Sequence, residues 1–411
     1  MLKKIIAVSA IFMLSLSSVY AIEADADYTD TVQQAETADA IDNEGDDKDY
    51  IPADDELPDV TARNAVVIEA ATGKVLYQRN KDIITYPAST TKIMTLIMAL
   101  EHGNLDQQFT ASEEASKTDG STIWLEPGEK LTLRQLCYAM MLVSGNDATV
   151  AVAEGISGSV PDFALAMTRK AHQLGAISTN FVNPNGLPDP QHYTTAYDLA
   201  RIAAYGYSLP GFEEIVSTMT TQIPWGENDY NRFLRNENYM LWIYDGANGV
   251  KTGYTEAAGH CLVSAAKRDG VQLISVVLGA ESMWNDSIAM LDYGFSKVEP
   301  YTFVKAYDSF ELEVKGGRKN KLKAHADKDI IAGIDPSEKE LYSIQVVVSN
   351  ELEGLKAPIA KGDEVGRVYL IYDGERTASA ALIADEEIEK KSFFLSIWYA
   401  IKGFFSFVIG G

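Results

Sequence analysis

Ser89 and Lys92 stand three residues apart in Pro87-Ala88-Ser89-Thr90-Thr91-Lys92, at the entry to the apolar run Ile93 to Leu100. On a helix such positions share a face, so hydroxyl and amine would lie side by side with the serine at the positively polarised N-terminus. That pairs a nucleophile with a base. Alone, the pattern is equally that of a helix N-cap followed by a solvated lysine. Two further clusters change the reading. Ser144-Gly145-Asn146 follows an apolar helical stretch, where polar residues are either loop-exposed or pointed at something. Lys251-Thr252-Gly253 falls on a predicted strand just before Tyr254-Thr255. The three clusters in this order, on helix, loop and strand, are hard to obtain by chance. Other chemistries lose ground: none of the five histidines forms His-Glu-x-x-His, and there is no Gly-x-Ser-x-Gly elbow or Gly-rich phosphate loop. The histidines read as structural, and neither a metal nor a cofactor is expected. Cys137 and Cys261 allow one bridge at most and, inside apolar stretches, read as buried free thiols.

The elements that must position these residues are legible from periodicity and turn chemistry. Ala65 to Ala70 and Val75 to Gln78 are apolar, β-branched runs separated by Thr72-Gly73, which predicts a hairpin. Thr132-Leu133-Arg134-Gln135 predicts a capping box opening a helix to Val143. Ser159-Val160-Pro161-Asp162 starts another helix, stopped by Gly175, and a third fills Ala196 to Tyr207. Val250 to Thr252, Leu262 to Lys267 and Gln272 to Leu278 read as strands, the last two joined at Asp269-Gly270. Helices enclosed between an early hairpin and late strands imply one sheet built from both ends of the domain. We therefore expect an α/β or α+β domain over 61–297, its antiparallel sheet flanked by helices. From 298 to 386 the period is two, as in Phe310 to Val314, which predicts a small all-β domain.

The chain has 411 residues and a formal net charge of −24. Phosphates would be repelled, so nucleic acid is not an expected partner. Met1-Leu2-Lys3-Lys4, the apolar run Ile5 to Leu16 and Val19-Tyr20-Ala21 read as a cleavable export signal, residues 1–21. Residues 22–60 hold fifteen acidic side chains and one basic, a net −14, and read as a solvated, disordered leader. At the other end, residues 387–411 read as an amphipathic anchor. On a helix, Phe393, Ile397, Ile401, Phe404 and Val408 share one face, while Ser396, Tyr399, Lys402 and Ser406 share another. This predicts a helix lying in a membrane interface next to Lys390-Lys391, rather than a span with Lys402 near its middle.

With these motifs the sequence resembles the low-molecular-mass penicillin-binding proteins, the serine D-alanyl-D-alanine carboxypeptidases with a C-terminal membrane anchor (peptidase family S11). The resemblance also covers Asn183-Pro184-Asn185-Gly186-Leu187-Pro188-Asp189, Gly249 to Gly259 and Leu355-Lys356-Ala357-Pro358. It implies that Ser89 attacks the bond between two terminal D-alanines of the peptidoglycan stem pentapeptide, forming an acyl-enzyme that water resolves, and that β-lactams are covalent inhibitors. Lys92 would take the serine proton, its pKa lowered by burial and by Lys251. Ser144 would relay the proton, Asn146 would hold the substrate backbone and Lys92, and Lys251 and Thr252, followed by Gly253, would meet the substrate carboxylate. The amides of Ser89 and Tyr254 would form the oxyanion hole. The implied place of action is the outer face of the cytoplasmic membrane. One departure stands out: where relatives often carry an arginine before the last helix of the first domain, Glu281-Ser282-Met283-Trp284-Asn285 has no basic residue. A class A β-lactamase would share two motifs but usually has Asp where Gly145 stands; a non-catalytic penicillin-binding sensor would keep the fold without turnover.

Overall fold

The computed structural model describes residues 57–226, 228–350 and 352–391. The export signal, nearly all of the acidic leader and the tail from residue 392 lie outside the described residues. The first domain is built on strands β1 (Asn64–Glu69), β2 (Val75–Arg79), β7 (Ala247–Thr255), β8 (Gly259–Arg268) and β9 (Val271–Ala280). They form one antiparallel sheet in the order β2-β1-β9-β8-β7. Residues from the two ends of the domain thus meet at its centre, with Val66 opposite Val276. The predicted turns are present. Gly73 sits at φ +76, and Asp269 and Gly270 at +49 and +84, the positive pair that a two-residue hairpin of matching twist requires.

Alternate side chains explain why these strands are apolar throughout. Val66 and Ile68 face one core, while Ala65 and Val67 face another. The first core is roofed by helices α1 (Lys92–His102), α2 (Glu113–Ser116), α3 (Leu133–Leu142), α4 (Asn146–Ser157), α5 (Val160–Gln173), α6 (Ala196–Gly206) and α7 (Phe212–Ser217). The opposite face is covered by α8 (Met240–Ile243) and α9 (Met283–Ser296). Helix α3 begins with the expected capping box: Thr132 Oγ1 accepts from the Gln135 amide and Gln135 Oε1 from the Thr132 amide. Two small two-stranded sheets without a sequence signature, β3 (Gln108–Thr110) with β4 (Lys130–Thr132) and the hairpin β5 (Thr220–Pro224) with β6 (Asn231–Arg235), accompany the helical lobe. Cys137 and Cys261 are buried and unbridged.

The second domain is all-β apart from a 3₁₀ turn at Pro336–Leu341. Its strands are β10 (Glu299–Val304), β11 (Ser309–Lys315), β12 (Lys321–Ala326), β13 (Ile330–Ile334), β14 (Tyr342–Val348), β15 (Leu355–Lys356), β16 (Glu364–Tyr372) and β17 (Glu375–Ala384). Six of them form a sheet in the order β14-β16-β17-β12-β11-β15, and β10 pairs with β13. The architecture is α+β followed by all-β, as expected. The boundaries differ slightly: Val60, assigned to the leader, is buried at 4% exposure, and Ile388 and Lys390, assigned to the tail helix, pair with Ile359 and Gly317. Apolar Ile388, at 1% exposure, closes the second core, which is why the chain stays extended there. The β1–β2 hairpin tip forms the seam between domains. Ala71 packs on the second core, Lys74 pairs with Glu338, and Glu69 is wholly buried.

Candidate active site

Ser89 lies in a 3₁₀ turn, Ala88–Thr91, that runs directly into α1. The turn is held in a costly shape: Ala88 has φ +49, a region that L side chains avoid. Neighbouring bonds over-determine it. Thr90 Oγ1 donates to Pro87 O at 2.6 Å, and Thr91 Oγ1 donates to Ala88 O at 2.9 Å. His192 Nδ1 accepts from the Val182 amide, so Nε2 carries the proton and donates to Thr91 Oγ1 at 2.8 Å. Burial pushes His192 down to about 4, keeping it neutral, with the charge of Lys92 acting the same way. Gly186 completes the cradle. It has φ +90, and a Cβ there would come within 1.8 Å of Ala88 O, so only glycine lets the 183–189 turn touch the serine turn.

Lys92 is fully buried, and its Nζ has three neighbours: Ser89 Oγ at 2.8 Å, Asn146 Oδ1 at 2.7 Å and Asn185 O at 2.8 Å. Burial, and then the positive charge of Lys251, holds its pKa well below that of an ordinary lysine. The geometry decides where the lone pair of the neutral amine goes. The two carbonyl oxygens can only accept, so they take the two remaining N–H bonds, and the lone pair faces the Ser89 hydroxyl. Asn183 Oδ1 accepts from the Gly186 amide and Thr95 Oγ1 donates to Pro184 O, which fixes the Asn185 carbonyl. Nothing in the residue type signals this contact, because every residue carries a backbone acceptor.

Ser144 and Asn146 bring the second wall. Ser144 has φ +62 and is 4% exposed; Asn146 is the first residue of α4 rather than part of an exposed loop. Asn146 Nδ2 donates to Asp119 O and its amide to Ser121 O. The buried Asp147 carboxylate, unremarked in the sequence, gathers the amides of Ile123 and Leu125 and the Thr122 hydroxyl, pinning the loop above Asn146. The third wall is β7, the edge of the sheet, whose open side lies against the serine turn. A Cβ on Gly253 would meet the Ser89 amide at 2.9 Å, so glycine admits this approach. Lys251 Nζ, 1% exposed, donates to Thr252 O at 3.0 Å and Thr252 Oγ1 at 3.3 Å, and burial pushes it down to about 8. The Tyr254 ring is 59% exposed and lies on His260. Of the eight residues expected at the site, hydrogen bonds join Ser89, Lys92 and Asn146, the Gly253 backbone packs on the Ser89 amide, and Lys251 and Thr252 precede Gly253 on the same strand; Ser144 and Tyr254 flank this group in the chain.

A serine hydroxyl served by a buried lysine, facing the open edge of a helix-covered antiparallel sheet, defines a serine acyl-transfer enzyme of the penicillin-binding kind. The pattern of the D-alanyl-D-alanine carboxypeptidase family matches residues 52–282, and that of the penicillin-binding protein 5 C-terminal domain matches residues 299–390. The chain belongs to this carboxypeptidase family. It is 37% identical to D-alanyl-D-alanine carboxypeptidase DacF of Bacillus subtilis over 81% of this chain and 87% of that protein. It is 32% identical to DacA of Haemophilus influenzae over 85% of this chain and 92% of that protein. The crystal structure of penicillin-binding protein 5 from Haemophilus influenzae superposes with a TM-score of 0.58 at 32% identity, covering 81% of this chain and 99% of that one.

Proposed function

We propose that the protein is a serine D-alanyl-D-alanine carboxypeptidase that removes the terminal D-alanine from peptidoglycan stem pentapeptides. The observation that carries this reading is the Lys92 amine, buried between two carbonyl acceptors with its third position 2.8 Å from Ser89 Oγ. Ser89 Oγ attacks the carbonyl carbon of the penultimate D-alanine as its proton passes to Lys92 Nζ. The amides of Ser89 and Tyr254 receive the developing oxyanion. Collapse breaks the C–N bond, and Ser144 passes the proton on to the leaving amine, freeing D-alanine. Asn146 orients the acyl chain, and Lys251 and Thr252 hold the terminal carboxylate. Water then attacks the ester, Lys92 accepting its proton and returning one to Ser89. A β-lactam enters the same path and stops at the acyl-enzyme.

The test is release of D-alanine from a pentapeptide, together with intact mass after penicillin exposure. The wild type should release D-alanine and gain one penicilloyl adduct; Ser89→Ala should do neither. Adducts on both would remove Ser89 as the nucleophile. A β-lactamase or a non-catalytic sensor would release no D-alanine.

The same reading places the enzyme outside the cell, on the outer face of the cytoplasmic membrane, held peripherally by residues 392–411. The basic, apolar start of the chain and the two-faced pattern of Phe393 to Val408 support it. Deleting residues 392–411 should give a protein that no longer sediments with membranes but still cleaves soluble D-Ala-D-Ala peptides. Retention on membranes would overturn the anchor.

A further inference from the structure

Glu237 reaches the carboxylate end of the cleft although no motif contains it. Its Oε2 accepts from Thr252 Oγ1 at 3.4 Å and lies 3.8 Å from Lys251 Nζ. The backbone that carries it is pinned on both sides. Its amide donates to Leu142 O, and the buried Asn236 side chain donates to Thr218 O and accepts from the Asn238 amide. The side chain itself is 49% exposed, free to swing into solvent. Along 231–239 the odd residues are exposed and the even ones buried, so Arg235 and Glu237 continue the outer face of β6 past its end and up to β7.

We propose that Glu237 is a specificity-determining residue: it occupies the carboxylate subsite of the free enzyme, and a substrate with a free C-terminal carboxylate must displace it from Lys251 and Thr252. This rests on the carboxypeptidase reading above. The groups facing Glu237 are the Lys251 ammonium and the Thr252 hydroxyl of β7. The 281–285 segment brings no cation, and its Glu281 and Ser282 amides are held by Thr61. An incoming carboxylate therefore meets one ammonium already matched by an anion, and the two carboxylates exclude each other. Glu237 also acts on the base: its charge, with that of Asp147, favours the ammonium form of Lys92 against burial and Lys251.

The experiment compares wild type, Glu237→Gln and Glu237→Asp on two peptides that differ only at the C-terminus, one ending in free D-alanine and one in D-alaninamide. Both are measured as competitors of penicillin labelling at Ser89, and the free acid also by turnover. Glu237→Gln should tighten binding of the free acid roughly three- to tenfold, the scale of a partly screened charge pair. It should leave the amide unchanged and move the acid limb of kcat/KM to lower pH, whereas Glu237→Asp, which keeps the charge, should follow the wild type. Equal changes for acid and amide, or an unmoved free-acid affinity, would overturn the proposal. Absence of D-alanine release by the wild type would instead overturn the carboxypeptidase reading.

Discussion

Replacing Glu69 by glutamine should remove a pH-dependent weakness at the seam between the two domains. Glu69 is wholly buried at the end of β1 and accepts from the Thr72 amide at 2.9 Å and the Thr72 hydroxyl at 2.6 Å. Those donors favour the ionised form, but burial outweighs them and pushes the carboxyl from 4.5 up to about 7. The folded protein thus keeps a proton between pH 4.5 and about 7 that the unfolded chain has released. The associated stability is full below 4.5 and is lost as pH rises through 7. At about 1.4 kcal/mol per pH unit, the interval from 4.5 to about 7 sets the whole loss at about 3 to 4 kcal/mol. Glutamine cannot ionise and keeps one acceptor for Thr72. Urea unfolding of the protein lacking residues 392–411, and so lacking Trp398, followed by tryptophan fluorescence reads the first domain, where the other four tryptophans, Trp124, Trp225, Trp242 and Trp284, lie. Between pH 4.5 and 8 the wild type should lose about 3 kcal/mol more than Glu69→Gln. Parallel pH profiles for the two proteins would show that Glu69 does not titrate in this window.

Three further outcomes follow from the site. Lys92→Arg keeps the charge but offers no lone pair, so penicillin acylation, followed by stopped-flow with a fluorescent penicillin, should slow by about a hundredfold or more; a near-normal rate would mean another group takes the proton. Gly186→Ala drives a Cβ into the Ala88 carbonyl at a backbone φ of +90, so thermal unfolding should show a loss of at least about 2 kcal/mol with acylation impaired in what remains folded. Arg232→Met leaves the Glu129 carboxylate, 4% exposed, without its partner and frees the Ile123 and Trp124 carbonyls; a loss of about 3 kcal/mol is expected in denaturant titrations, and near-neutrality would show that the pair is dispensable.

Features that depend on local chain chemistry were readable in the sequence. The Thr132 capping box, the Thr72-Gly73 and Asp269-Gly270 turns and the i, i+3 pairing of Ser89 with Lys92 each occupy a few consecutive residues, and each has the predicted geometry. What escaped depends on residues distant in sequence. Asn185 serves Lys92 through a carbonyl, a group every residue possesses. Asp147 and Glu237 are ordinary acidic residues until the fold sets one under the 119–125 loop and the other against β7. The β5–β6 hairpin has no local signature: Thr220 to Pro224 is mostly polar and ends in proline, and pairing with Asn231 to Arg235 supplies what propensity does not.

The sheet order has a kinetic consequence. Strand β1, at residues 64–69, is hydrogen-bonded to β2 on one side and to β9, at residues 271–280, on the other. Closing the centre of the sheet therefore requires a loop of some two hundred residues to be gathered first, a large entropic demand for contacts so remote along the chain. The helical segment between them can form early, but Lys92 and Lys251 come together only when that closure occurs. A nascent chain ending before β9 would leave one edge of β1 unpaired, which makes the last strand of this sheet to emerge the one that commits the first domain to its native state.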